Sequence, residues 1–191
     1  MKFYLFLTNG VLIILIMEIK NIQLKHTLIY GSIIGVTIAL YQVLLYVFGM
    51  ANNKTLENVT HFLFVLGIFI AVKRFRDQES EGIINFQKAF TTGLLTSMFV
   101  AIIGAIYTFF QLKYLSPNLL QVVIDLFQER LFRSDISEDQ LEIQFALVEK
   151  LFTPALVAWF SVLSYLFIGA IISLIVAVLL KRDENPLLKS D

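Results

Sequence analysis

The chain has 191 residues, of which 58% are hydrophobic and only 16% charged. About a quarter of the residues of a typical soluble domain are charged, so this composition is poor for a soluble surface. The 15 basic and 15 acidic residues cancel, so no overall positive field attracts nucleic acid. The absence of cysteine excludes disulfides, thiolate metal sites and a cysteine nucleophile.

The first apolar run extends from Phe3 to Met17. As a helix it is too short for the ~30 Å hydrocarbon core. Three interpretations stay open: translation starting at Met17, an uncleaved extra anchor, or a cleaved signal peptide without a clear cleavage site. We therefore treat residues 1–18 as an N-terminal extension, 19–183 as one membrane domain and 184–191 as a cytoplasmic tail.

Four longer apolar stretches predict transmembrane helices, at about 28–49, 56–72, 91–112 and 155–180. Three of them carry small residues four positions apart, a pattern that allows close helix packing in membranes. These residues are Gly31, Gly35 and Ala39 in the first span, Gly93, Ser97, Ala101 and Ala105 in the third, and Gly169, Ser173 and Ala177 in the fourth. The fold class is thus an all-α integral membrane protein with four transmembrane helices.

The segment 113–154 is the only long stretch outside the spans, and it predicts an amphipathic helical hairpin. Apolar residues fall at helical spacing in each half. The first set is Leu119, Val123, Leu126 and Phe127, and the second is Leu141, Phe145, Val148 and Phe152. Ser137 and Gln140 match a capping box for the second helix. The apolar faces need a partner: each other, the lipid surface or a second copy of the chain.

Other boundaries have local signals. Thr55 is the expected N-cap of the second span, and Asn85 that of a helix starting at Phe86. Gly82 permits the turn before that helix. Pro154 is compatible with the first turn of the last helix.

Basic residues near the span ends predict the orientation, because such residues favour the cytoplasmic side. One side would hold Lys20, Lys25, Lys73, Arg74, Arg76, Lys88, Lys181, Arg182 and Lys189, and the other Lys54, Lys113, Arg130, Arg133 and Lys150. Both termini are therefore expected in the cytoplasm, with the hairpin outside.

The charged segment Lys73–Phe90 separates the second span from the third. Lys73, Arg74 and Arg76 are candidates for contact with anionic lipid headgroups. The alternative is an ordinary stop-transfer cluster, which needs no specific ligand.

This segment also carries a recognisable pattern. It consists of Phe75, Arg76, Asp77, Gly82, Ile84, Phe86, Lys88, Ala89, Phe90 and Gly93. The pattern resembles the signature of the family called domain of unknown function 4199. The resemblance implies a small four-helix inner-membrane protein of bacteria, mostly Bacteroidota. It supplies no known activity, catalytic residue or cofactor.

The sequence contains little that indicates catalysis or metal binding. Glu57, the second residue of the second span, is the only Asp, Glu, Lys or Arg in the four spans, whereas proton-coupled carriers need an ionisable group at membrane depth. Gln42 is expected to form an interhelical hydrogen bond. His26 and His61 are predicted at opposite membrane faces, and the Glu57–His61 pair has too few ligands for a closed metal site. No His–acid pair or nucleophile turn accompanies the serines.

The sequence thus favours a non-enzymatic structural or partner-binding membrane subunit, without metal or cofactor. Its expected partners are the bilayer and either a second copy or another membrane protein, and no nucleic acid. The alternative is a channel or carrier for a neutral or lipid-like solute. An interfacial membrane enzyme is a third hypothesis.

Overall fold

The computed structural model describes residues 2–51, 53–133 and 138–182, with side chains in the first helix from Ile22 onward. The described residues form six α-helices and one π-helical turn, and no strand longer than a single bridge. The elements are α1 (Lys2–Val47), α2 (Lys54–Glu79), α3 (Phe86–Phe110), the π-helical turn (Gln111–Leu115), α4 (Pro117–Phe132), α5 (Glu138–Leu151) and α6 (Pro154–Leu180). The prediction of an all-α fold is confirmed.

Four helical stretches are long and apolar enough to cross a membrane: Ile22–Val47, Thr55–Glu79, Phe86–Leu115 and Pro154–Leu180. They correspond one to one with the four predicted spans, so the protein is a multi-pass membrane protein. The predicted windows mostly underestimate the helices, because α2 and α3 continue into charged residues of the segment 73–90. A run of apolar residues marks the part of a helix that faces lipid, so it does not show where the helix ends.

Helix α1 runs without a break from Lys2 to Val47. The described backbone therefore has no interruption between residues 18 and 19, and the proposed boundary there stays a prediction. The predicted capping serine, Ser137, lies outside the described residues. The helix that it was expected to cap begins at Glu138.

The helix caps agree with the sequence in two of three cases. Asn85 accepts a hydrogen bond from the backbone N–H of Lys88 at 2.8 Å, as expected for the N-cap of α3. Pro154 stands in the first turn of α6 behind the N-cap Thr153. The expectation for Thr55 was wrong: Asn53 caps α2. Its Oδ1 accepts from two backbone N–H groups and so starts the helix earlier.

The third span is the centre of the bundle, since α3 packs against α6, α1 and α2. The small-residue stripes of α3 and α6 face each other. A Cβ on Gly93 would lie 2.6 Å from Ser173 Oγ, and a Cβ on Gly169 would overlap the side chain of Ser97. The serine of each helix therefore packs against the glycine of the other helix, and the two backbones approach closely.

The stripe of α1 has the same role against α3. A Cβ on Gly31 would lie 2.8 Å from the carbonyl oxygen of Thr96, and one on Gly35 would lie 3.0 Å from the side chain of Ile103. The small residues thus determine where neighbouring helices pack, as their spacing predicted.

The distribution of side chains suits a lipid environment. Large apolar residues point outward, including Leu40, Phe62 and Phe167, which is 70% exposed. By contrast, Thr96 and Ser97 in the interior are fully buried. Their hydroxyls donate to carbonyls of their own helix, which satisfies them without a partner helix.

Helices α4 and α5 form the predicted hairpin. Two aromatic pairs join them, Phe127 with Phe152 at 5.0 Å between ring centroids and Phe132 with Phe145 at 4.9 Å. The two helices therefore pack against each other, the first of the three predicted alternatives. Many apolar side chains nonetheless remain exposed: Leu119, Val122, Leu126, Ile143, Leu147 and Leu151.

Candidate functional site

The four spans meet at one end of the bundle, where the segment Lys73–Phe90 lies. We call this region the loop-end junction and define it by Gln23, His26, Phe75, Ile84, Lys88 and Arg182. These residues come from the start of the first span, the end of the second, the loop, the start of the third and the residue position just beyond α6. Residues distant in sequence are brought together here.

His26 is the buried polar centre of the junction. Its Nε2 lies 2.9 Å from the carbonyl oxygen of Ala71, so this nitrogen carries the proton and donates. The ring stacks on Tyr30 at 4.4 Å and meets the edge of Phe75 at 5.2 Å. Phe75 is only 1% exposed. The imidazole therefore joins α1 to α2 by one hydrogen bond and an aromatic contact.

Lys88 and Gln23 extend these contacts to α3. The Lys88 ammonium lies 5.3 Å from the centroid of the Phe75 ring, within the range of a cation–π interaction. The Gln23 amide donates to the hydroxyls of Thr91 and Thr92 at 3.0 and 2.9 Å. The same end of the bundle thus has polar contacts between α1 and α3 and a charged contact between α2 and α3.

A pair of backbone hydrogen bonds joins the loop between α2 and α3 to the chain just after α6. Ile84 N–H donates to the Arg182 carbonyl at 3.1 Å, and Arg182 N–H donates to the Ile84 carbonyl at 2.8 Å. Gly82 has a φ of +81°, which glycine adopts readily and which turns the chain toward α3. Ile84 is 1% exposed beneath this bridge.

The remaining residues of the signature also have structural contacts. Arg76 forms an ion pair with Asp77 at 2.7 Å, and Phe86 stacks on Phe90 at 6.2 Å. Ala89 is fully buried, and Gly93 receives Ser173. The signature Phe75–Gly93 therefore describes how the loop, α3 and α6 interlock.

The predicted lipid contacts differ in their surroundings. Lys73 and Arg74 are exposed at the end of α2, where an anionic headgroup can reach them. Arg76 is less accessible, and its charge is already paired with Asp77. The contact with anionic lipid stays a prediction, and Lys73 and Arg74 are its stronger members.

Sequence reasoning missed Gln23 and the Ile84–Arg182 bridge. Gln23 lies one turn before His26, and its position just ahead of the first apolar stretch was the available signal. The bridge joins two backbones far apart in sequence and has no side-chain signature. Gln42 lies near the Tyr165 hydroxyl of α6, and the interhelical hydrogen bond expected of it stays a prediction.

The described part of the chain has no group of three or more His, Asp or Glu side chains able to hold a metal ion. His61 Nδ1 lies 3.3 Å from the backbone carbonyl of Glu57, so it bonds to the main chain of its own helix. The two histidines lie near opposite ends of the bundle, as predicted.

The fold and this junction define a multi-pass helical membrane protein whose signature residues join its spans at one end. The family model described as "Protein of unknown function (DUF4199)" matches residues 29–182. The chain belongs to that family, which confirms the resemblance seen in the segment Phe75–Gly93. Searches of the curated proteins and of the solved structures found no match.

Proposed function

We propose that the protein is a non-enzymatic subunit of a bacterial inner membrane that binds a protein partner through its helical hairpin. The termini and the loop-end junction lie in the cytoplasm in this proposal, and the hairpin lies outside. The excess of basic residues in the short segments at the loop end supports this orientation.

The main observation in support of this proposal is the apolar surface of the hairpin. Leu126 is 54% exposed and Ile143 is 63% exposed, although neither lies in a candidate span. An exposed apolar patch outside the spans is typical of an interaction site. The aromatic pairs between α4 and α5 hold the hairpin together while leaving this surface open.

Site-specific photocrosslinking tests the proposal, and the absence of cysteine makes single-cysteine variants straightforward. A benzophenone attached at Leu126→Cys or Leu147→Cys in native membranes should give a crosslinked protein product. Gln121→Cys, exposed and five residues before Leu126 and therefore on a different side of α4, is the matched control and should give much less. Equal yields at all three positions, or no protein product, would reject the hairpin as a partner site.

A second candidate function is a carrier for a neutral or lipid-like solute. A groove of about 350 Å³ between α2 and α6 favours it, since this volume is within the range of small-molecule sites. Flux of a neutral solute into vesicles containing the purified protein, above that of empty vesicles, is the corresponding measurement. Equal flux in both would reject transport.

A further inference from the structure

The groove between α2 and α6 combines an apolar wall with several polar groups and lies between two candidate spans. Its polar lining is Thr60, His61, Ser161, Ser164 and Tyr165. Its apolar lining includes Phe64 and Phe160, of which Phe160 is 56% exposed. No Asp, Glu, Lys or Arg is among the lining residues. Unlike most of the lipid-facing surface, this groove therefore offers hydrogen bonds without a formal charge.

The hydrogen bonds already made in the groove leave mainly acceptors. Ser161 Oγ donates to the Ala158 carbonyl at 2.7 Å, and Ser164 Oγ donates to the Phe160 carbonyl at 3.1 Å. Each hydroxyl has thereby used its proton and keeps its lone pairs. A ligand that fits these groups must bring its own hydrogen-bond donor.

His61 adds another acceptor. Its Nδ1 lies 3.3 Å from the Glu57 carbonyl and donates to it, so in this tautomer Nε2 is the ring nitrogen that can accept. The His61 side chain is exposed, two turns after the start of α2. The buried Thr60 also lines the groove, and its hydroxyl can donate as well as accept.

We propose that this α2–α6 groove binds a neutral lipid alcohol, a molecule with a hydroxyl headgroup and an aliphatic chain. The hydroxyl donates its single proton to one of the acceptors among His61, Ser161 and Ser164, and the chain lies along Phe64 and Phe160. A phospholipid headgroup is disfavoured, because its phosphate brings acceptors and the groove supplies no cation. The proposal concerns binding alone, so it stands or falls independently of the hairpin and of transport.

The test uses the full-length protein in lipid nanodiscs and a diacylglycerol that carries a photoactivatable diazirine on its acyl chain. Crosslinked peptides are expected from α2 and α6 around Thr60 and Ser164. Unlabelled diacylglycerol should compete. The same lipid with its hydroxyl methylated should compete about threefold to tenfold less well, since it lacks the donor. Competition by an isoprenoid alcohol is measured beside competition by diacylglycerol, to show which of the two lipid alcohols the groove prefers. Stronger competition by either one supports binding of a neutral lipid alcohol.

Ser164→Ala removes an acceptor from the groove and should weaken competition by the free alcohol about threefold to tenfold. Thr37→Ala is the matched control, because Thr37 is an exposed hydroxyl on α1 that makes the same kind of bond to its own helix at 2.8 Å. Ser164→Leu fills the groove from an exposed position and should abolish specific labelling with the helix content unchanged. Equal competition by the methyl ether, or by phosphatidylglycerol, would overturn the proposal, and so would equal behaviour of the serine variants and the threonine control.

Discussion

At the residue scale, the family signature has a physical explanation. Several of its members fill space or set the backbone at the loop-end junction, and Arg76 forms an ion pair with Asp77. Phe75 is enclosed by His26 and Lys88, whereas Gly82 supplies a positive φ at the turn. Packing and backbone geometry therefore account for the residue types at these two positions.

The two histidines provide a test at this scale. His26→Phe keeps an aromatic ring against Tyr30 but removes the donor to the Ala71 carbonyl, which lies among buried groups. We expect a loss of about 1–3 kcal/mol in the free energy of unfolding, measured by denaturant titration in detergent micelles.

His61→Phe is the matched control. His61 is exposed and bonds only to its own helix, so its loss should change the unfolding free energy by less than about 0.5 kcal/mol. Equal effects of the two substitutions would show that the hydrogen bond from His26 does not join α1 to α2.

At the element scale, the paired stripes of α3 and α6 fix how the two helices pack. Gly169→Ala places a methyl group in the space of Ser97. Such overpacking costs typically about 1–3 kcal/mol, and thermal unfolding in micelles should show a lower midpoint. Adding Ser97→Gly frees the space and should recover most of the loss, as expected of residues in contact.

Ile175→Phe is the control for added volume on α6. Ile175 is exposed on the same helix, so the larger ring extends toward lipid and should leave the midpoint nearly unchanged. If Ser97→Gly fails to rescue Gly169→Ala, the proposed register of α3 against α6 is wrong.

The same stripes show how far the sequence predicts the fold. The spacing of Gly93 and Ser97, and of Gly169 and Ser173, identified the packing faces, because four-residue spacing places side chains on one side of a helix. It did not identify which stripes meet, because all of them have similar composition. The contact of each glycine with the serine of the other helix is visible only in the three-dimensional packing of α3 against α6.

The candidate sites were less predictable for related reasons. The Ile84–Arg182 bridge is formed by backbone groups that nearly every residue has, so it cannot be predicted from the residue types. The α2–α6 groove depends on Ser161 and Ser164, which look like common small residues of a membrane helix in the sequence alone. Their significance arises only where α2 places Thr60 and His61 opposite them.

At the scale of the whole molecule, four spans bring the loop 80–85 and the end of α6 to one side and the hairpin to the other. Contacts support this arrangement at both ends. Gln23 and Lys88 meet at the loop end, and the Tyr46 hydroxyl donates to the Leu115 carbonyl at 2.6 Å at the hairpin end. The proposed function needs the hairpin outside the cytoplasm, and the loop-end junction inside.

Cysteine accessibility in spheroplasts tests this orientation most directly, since the natural chain has no cysteine to remove. Gln121→Cys reports on the hairpin and Gln78→Cys on the loop end, and both side chains are exposed. A membrane-impermeant maleimide should label Gln121→Cys in intact spheroplasts and Gln78→Cys only after the membrane is permeabilised. Labelling of Gln78→Cys in intact spheroplasts, with Gln121→Cys protected, would contradict the account.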